Sequence, residues 1–169
     1  MPWTDETITT ARLRLRPVRV GDLAAIEELI TDPEVRRFLG GPVGEDEVRA
    51  VRASTPGERW GVFAIADRET DAMLGSCGVD RERGELEVSY QLRRSEWGRG
   101  IAREAVSAVL AWAWRNTSDE SLIAVTQTAN AQSTALLEAL GFSQESRFEE
   151  YGAEQGRYRL HRPTGANSA

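Results

Sequence analysis

Leu86-Glu87-Val88-Ser89-Tyr90-Gln91-Leu92, followed by Trp97-Gly98-Arg99-Gly100-Ile101-Ala102-Arg103-Glu104-Ala105, carries two different periods. In the first run Leu86, Val88, Tyr90 and Leu92 share one face, and Glu85, Glu87, Ser89 and Gln91 share the other, which is the alternation of a half-buried strand. In the second, Ile101, Ala102, Ala105, Val106, Val109, Trp112 and Ala113 recur at helical spacing. Gly98 and Gly100 stand at the junction. Glycine accepts positive φ and lets a ligand come close to the backbone. The free N–H groups at a helix start, together with its dipole, attract anions. A strand, a glycine turn and a helix start therefore form a candidate pyrophosphate cradle, to which Trp97 and Arg99 add packing and charge. The alternative is a tight connection with no ligand. The run is not a dinucleotide fingerprint, because Arg103 stands where G-x-G-x-x-G needs glycine. It is not a P-loop either, because the chain contains no lysine.

On the N-terminal side the period of two continues. Strands are expected over 60–66 and 73–79, joined by a turn over 68–72, so with the run after Gly84 they make an antiparallel meander. Further back, Arg12-Leu13-Arg14-Leu15-Arg16 alternates charge with leucine, giving one face to a core and one to solvent. A helix is expected over 22–30. Asp32-Pro33 then caps a short helix through Val35 and Leu39 that stops at Gly40-Gly41, and a charged helix follows over 45–53. On the C-terminal side a strand is expected over 122–128 and a helix over 130–140, closed by Gly141. Two strands around Gly152 and Gly156 complete the chain. The order predicts an α+β fold with a mixed, largely antiparallel sheet.

The 169 residues suit one domain, expected over 1–163, with a small polar tail at 164–169 that frays. One cysteine, Cys77, excludes an internal disulfide and a cysteine-based zinc site, and one histidine, His161, leaves little material for a Ser-His or Cys-His nucleophile. The net charge of -6 argues against a nucleic-acid partner and a polybasic membrane anchor. No signal peptide is visible, no apolar run approaches the length of a spanning helix, and a cytoplasmic protein is expected.

The chain resembles the GNAT superfamily of N-acetyltransferases, and within it the ribosomal-protein N-terminal acetyltransferases of the RimJ/RimL type. The likeness rests on Thr10-Ala11-Arg12-Leu13-Arg14-Leu15-Arg16-Pro17, Asp32-Pro33-Glu34-Val35, Leu74-Gly75 with Cys77-Gly78, and the two runs quoted first. Asn130-Ala131-Gln132-Ser133 and Leu140-Gly141-Phe142 follow in the same order as in the family. Three positions depart from it. Arg94 stands where the family often has Pro, Ser95 where the superfamily has Gln or Arg, and Leu137 where many relatives carry a tyrosine acid.

The resemblance implies about seven strands flanked by helices, with a splay between the two central strands, 86–92 and 122–128. It implies acetyl-CoA as co-substrate and no metal. The pantetheine would pair with backbone near Leu92, Arg93 and Arg94, and the pyrophosphate would meet the turn Trp97, Gly98, Arg99, Gly100, Ile101 and Ala102. Asn130 would contact the cofactor, cap its helix, or both.

Acetyl transfer makes three demands. The amine must be neutral, whereas an α-amine has a pKa near ~8 and a lysine amine near ~10.4. The oxyanion needs a donor, and the departing thiolate benefits from a proton. The resemblance makes Glu87 the candidate base, directly or through water, and Ser133 the candidate acid or thiolate donor. Glu87 beside Glu85 could equally be only solvated, and Ser133 only polar filler in a first helical turn. Trp112 and Trp114 read as packing, Cys77 as a buried small residue, and His161 as structural or exposed. Glu145, Glu149, Glu150 and Glu154 read as a solvated face that could also attract a cationic acceptor. The acceptor is a primary amine, either a protein N-terminus or a small molecule such as an antibiotic or metabolite. A non-catalytic acetyl-CoA sensor is the third reading. A monomer and a homodimer are both compatible with the sequence, the latter through an exposed C-terminal strand edge.

Overall fold

The computed structural model describes residues 3–57 and 59–165; Met1, Pro2, Glu58 and residues 166–169, which include most of the expected tail, lie outside that description. The strands are β1 (Ile8–Thr9), β2 (Leu13–Arg16), β3 (Val62–Asp67), β4 (Met73–Asp80), β5 (Glu87–Leu92), β6 (Ser121–Gln127), β7 (Ser143–Glu150) and β8 (Ala153–His161). The helices are α1 (Leu23–Thr31), α2 (Glu45–Ser54), α3 (Ile101–Asn116) and α4 (Ala131–Ala139). The strands form one sheet in the order β1-β2-β3-β4-β5-β6-β8-β7. All neighbours are antiparallel except β5 and β6. The sheet thus has eight strands rather than seven, the addition being the two-residue β1, too short to leave an alternation in the sequence.

Helices cover both faces. Under α3 lies the main core, where Leu13, Leu15, Phe63, Ile65, Cys77, Val79, Val88, Val106 and Trp112 meet. Leu29, Val35, Ala64 and Met73 make a smaller core on the opposite face, with Ala25 and Ile26 of α1 against it. Trp112 and Trp114 are buried, as is Cys77, whose thiol burial holds far above its ordinary range. His161 is exposed.

Three expectations need correction. Arg16, expected on the solvent face of its strand, is only 2% exposed. Its guanidinium meets Asp22 at 2.8 and 3.0 Å and Asp71 at 3.1 Å, so the charge enters the interior already paired. The segment 33–40 is a chain of turns, not a helix. Asp32 does cap it, accepting from the N–H of Glu34 at 2.8 Å. Arg36 then donates to the carbonyls of Leu39 and Gly41, and Gly40 and Gly41 both take positive φ, which reverses the backbone before a helical ladder can build. Gly156 lies inside β8, not in a turn, with the Tyr158 ring 2.9 Å from where a Cβ would sit.

The feature that shapes the site is the meeting of β5 and β6. They are registered at one position, Glu87 opposite Ile123, with the Ile123 N–H donating to the Leu86 carbonyl at 2.8 Å. Beyond that pair the strands diverge, and the sheet is split from the middle to one end.

Candidate active site

The expected residues gather around this wedge. Glu87 stands at the last rung, and Tyr90 three residues further along the open limb. An odd separation on a strand places them on opposite faces. Tyr90 packs against the main core, on the side of α3 and α4. Ser133, in the first turn of α4, reaches the same side, and the Tyr90 and Ser133 hydroxyl oxygens are 2.7 Å apart. Asn130 caps α4, its Oδ1 accepting from the Ser133 N–H at 3.1 Å, which fixes where the Ser133 side chain starts. Leu137 is buried in the main core and offers no polar group.

On the other face, Glu87 is 14% exposed on its side chain, with Arg83 Nε 3.2 Å away. Burial pushes its carboxyl above the ordinary value, and Arg83 only partly draws it back. Arg83 also forks onto Glu150 at 2.7 and 2.8 Å. Ile123 is opposite Arg159 on β8, so Arg159 shares this face. Arg157 and Arg159 are both bound to Glu85 and Glu145. The acidic stretch is therefore largely neutralised by arginines. Arg83, Glu145, Ser146, Phe148, Arg157 and Arg159 line an open depression of about 720 Å³; Glu87 is not in its wall but is joined to it through its ion pair with Arg83. Gln91, on the same face, donates to Ser76 Oγ at 3.3 Å, while its amide oxygen is buried with no partner among the described residues.

At the open end β5 runs into the glycine turn. Gly98 and Gly100 both have φ of 74°, a backbone that L side chains rarely adopt. A Cβ at Gly98 would meet nothing within 4 Å, so there the demand is conformational and the surface is open to approach. No side chain caps α3, which leaves the N–H groups of Ile101 and Ala102 free of the competition that a capping oxygen brings. The turn is held from behind. Arg12 donates to the Arg99 carbonyl at 2.8 Å and to Glu104 at 2.7 Å, and Thr10 donates to Glu104 at 2.6 Å. Burial pushes the Glu104 carboxyl up, but Thr10 and Arg12 hold it below its usual range. The one acidic side chain in the first turn of α3 is thus matched by a cation before any anion arrives.

The remaining expected contacts divide by atom. The Arg93 guanidinium turns to Glu28 of α1, at 2.6 and 2.9 Å, and the Arg93 backbone N–H donates to the Leu74 carbonyl. The Leu92 carbonyl accepts from Trp97 Nε1 at 3.1 Å. Arg94 is exposed at the start of a short 3-10 turn, and Arg99 is paired with Glu96. Side chains at 92–97 thus stiffen the path from strand to turn. An extended, amide-bearing arm fits the unpaired limbs of the wedge, and a pyrophosphate fits the uncapped helix start, so the residues present suit acetyl-CoA. Tyr90, Gln91, Arg83 and Arg12 escaped the sequence reading as site residues. The partners of Tyr90, Gln91 and Arg12 lie 43, 15 and 92 residues away in the chain, whereas Arg83 is only four residues from Glu87 and its spacing could have been read.

No group of three or more His, Cys, Asp or Glu side chains is placed to hold a metal among the described residues. No helix among them is long and apolar enough to cross a membrane. Residues 12–143 match the acetyltransferase (GNAT) domain family. The chain is 29% identical over 161 residues to the uncharacterized N-acetyltransferase p20 of Bacillus licheniformis, a match covering 90% of each protein. Its fold is similar to that of a GNAT-family acetyltransferase from Bacillus anthracis, with a TM-score of 0.81 at 21% identity over 92% of this chain and 98% of that one. It is also similar to the Salmonella typhimurium acetyl transferase that modifies the N-terminal serine of 50S ribosomal subunit protein L7/L12, with a TM-score of 0.74 at 16% identity over 94% and 100% of the two chains. The chain is a member of the GNAT acetyltransferase family, an enzyme that uses acetyl-CoA to acetylate an amine.

Proposed function

We propose that the acceptor is the α-amino group of a polypeptide N-terminus, as in the RimJ/RimL type, and that it attacks directly in a ternary complex. The observation that carries this reading is the open depression that Arg83 joins to Glu87, lined by paired charges together with Ser146 and Phe148 rather than closed over by apolar side chains. A chain end can lie in such a depression with its amine toward Glu87. Its lower pKa makes an α-amine easier to neutralise than a lysine amine. The Salmonella enzyme's fold is compatible with this choice.

In this scheme acetyl-CoA supplies an acetyl group activated as a thioester. Glu87 takes the proton of the attacking amine, directly or through water. Gly98 to Ala102 hold the phosphates, Trp97 stiffens the approach to them through its bond to the Leu92 carbonyl, the backbone from Leu92 to Arg94 aligns the arm, and Asn130 sets the start of α4. Ser133 donates a hydrogen bond to the departing sulfur. Burial on the face of β5, with Arg83 as counter-charge, suits Glu87 to its role, because a base works best when its pKa approaches the working pH.

The test is thiol release from acetyl-CoA across peptides with free N-termini, the same peptides with blocked N-termini, and a panel of small amines. Release is expected with free peptide N-termini and to vanish when they are blocked. Turnover confined to small amines would overturn the acceptor assignment, and binding without release on any acceptor would support a sensor.

The ion pair with Arg83 gives a second prediction. Arg83 favours the charged form of Glu87, so Arg83→Gln raises the Glu87 pKa further. A base acts only when deprotonated, so the acid limb of the kcat profile moves to higher pH. A limb that stays in place would show that Glu87 does not set it.

A further inference from the structure

We propose that Tyr90 is a positioning residue for the leaving group: its phenol donates to Ser133 Oγ and thereby directs the Ser133 hydrogen at the departing sulfur. The inference rests on the reading of Ser133 as the thiolate donor. It starts from a side-chain bridge between β5 and α4 beside the open part of the wedge, the 2.7 Å contact between the two hydroxyls. Tyr90 comes from β5, the limb before the split, and Ser133 from α4, which follows the other limb. Nothing in core packing requires a hydroxyl at this place.

The hydrogen count allows either direction, and the phenol, as the more acidic hydroxyl, is the stronger donor of the two. Two hydroxyls in contact hold two hydrogens, and one is used between them. If Tyr90 donates, the hydrogen of Ser133 is released from that contact and is free for a third partner. Asn130 already anchors the Ser133 backbone N–H, so the helix start and the phenol fix the side chain from two directions. Burial pushes the Tyr90 phenol above its ordinary value, which keeps it a neutral donor over the whole working range. A hydrogen bond that accepts from one neighbour donates more strongly to the next.

The proton balance needs no further acid. The amine nitrogen forms its bond to the acetyl carbon, the carbon–sulfur bond breaks, and its electron pair goes to sulfur. The amine enters neutral, its first proton having gone to solvent, and Glu87 keeps the one proton that the nitrogen loses on becoming an amide. Ser133 stabilises the thiolate by a hydrogen bond, and no proton has to leave Tyr90, whose phenol is less acidic than a thiol.

The experiment compares Tyr90→Phe, Ser133→Ala and the double variant by kcat and KM for acetyl-CoA, with thermal melts to confirm folding. The Tyr90→Phe change keeps the ring in the core. It is expected to lower kcat about tenfold with KM within about twofold, on the scale of losing some of one oriented donor. The double variant is expected to match Ser133→Ala alone, because Tyr90 acts only through Ser133. Acetyl thioesters of more acidic thiols should recover the lost rate in Tyr90→Phe. Three outcomes overturn the inference. A Tyr90→Phe enzyme with unchanged kcat beside an impaired Ser133→Ala removes Tyr90 and leaves the reading of Ser133 intact. Losses that multiply in the double variant, or that ignore the leaving group, make Tyr90 a separate or merely structural element. Wild-type turnover in Ser133→Ala removes the donor itself.

Discussion

Glu87→Gln lowers kcat by about two to four orders of magnitude, the range for loss of a positioned general base, and leaves the Kd for acetyl-CoA nearly unchanged. Glutamine has the shape of glutamate and keeps an acceptor oxygen, but it cannot take up a proton near neutral pH. The expected cofactor contacts lie elsewhere, in the backbone of 92–94 and the uncapped start of α3, so binding should survive. In the wild type the rate should fall as acid protonates Glu87, in a range set above the ordinary carboxylate value by burial. Steady-state kinetics against pH, with acetyl-CoA binding measured by calorimetry, check both expectations. A variant with wild-type turnover would sink the assignment of the base.

Asp22→Ala is expected to destabilise the fold by about 3–5 kcal/mol, the cost of leaving a buried charge without its partner. Arg16 and Asp22 are buried on both sides of the pair, 2% and 5% exposed on their side chains. Asp22 also accepts from the Arg19 N–H at 2.8 Å, so its removal strands a backbone donor as well as a guanidinium. Asp71 remains at 3.1 Å but is itself partly exposed, and it already serves Arg14 and Arg19. For a chain of this size the loss corresponds to a fall in Tm of about 10 °C or more. Urea or thermal melts measure it. Removing both charges, as Arg16→Met with Asp22→Leu, should cost much less than Asp22→Ala, because no buried charge is left behind. A double variant as unstable as the single would show that the pair's surroundings, not its charge, hold this corner.

What could be read from the sequence follows the range of the interactions. The period-two runs of β2 to β5 and the broad stripe of α3 are local, and both were legible. So was the need for glycine at 98 and 100, because positive φ is a property of the residue itself. Arg16 was not, since an arginine alternating with leucines looks solvated until the turn after β2 brings Asp22, six residues on, and Asp71, 55 residues on, beside it. Tyr90 was placed on the correct face, as one apolar residue among four. Only the arrival of α4 gives its hydroxyl a partner. Segment 33–40 has helical spacing, and a side chain, Arg36, diverts its carbonyls. Asn130 was legible as a cap because a cap is a contact across three residues.

The single rung between β5 and β6 also bears on how this sheet avoids other chains. Unpaired strand groups usually lie on a rim, where any passing strand can add to them. Here the outer rim at β7 is studded with Glu145, Arg147 and Glu149, while the backbone left without partners is in the interior of the sheet, each limb backed by its own neighbours. A foreign strand would have to prise apart the leaves of a folded sheet to reach it. The chain thus keeps a hydrogen-bonding template permanently available to a narrow arm without offering a seed for aggregation.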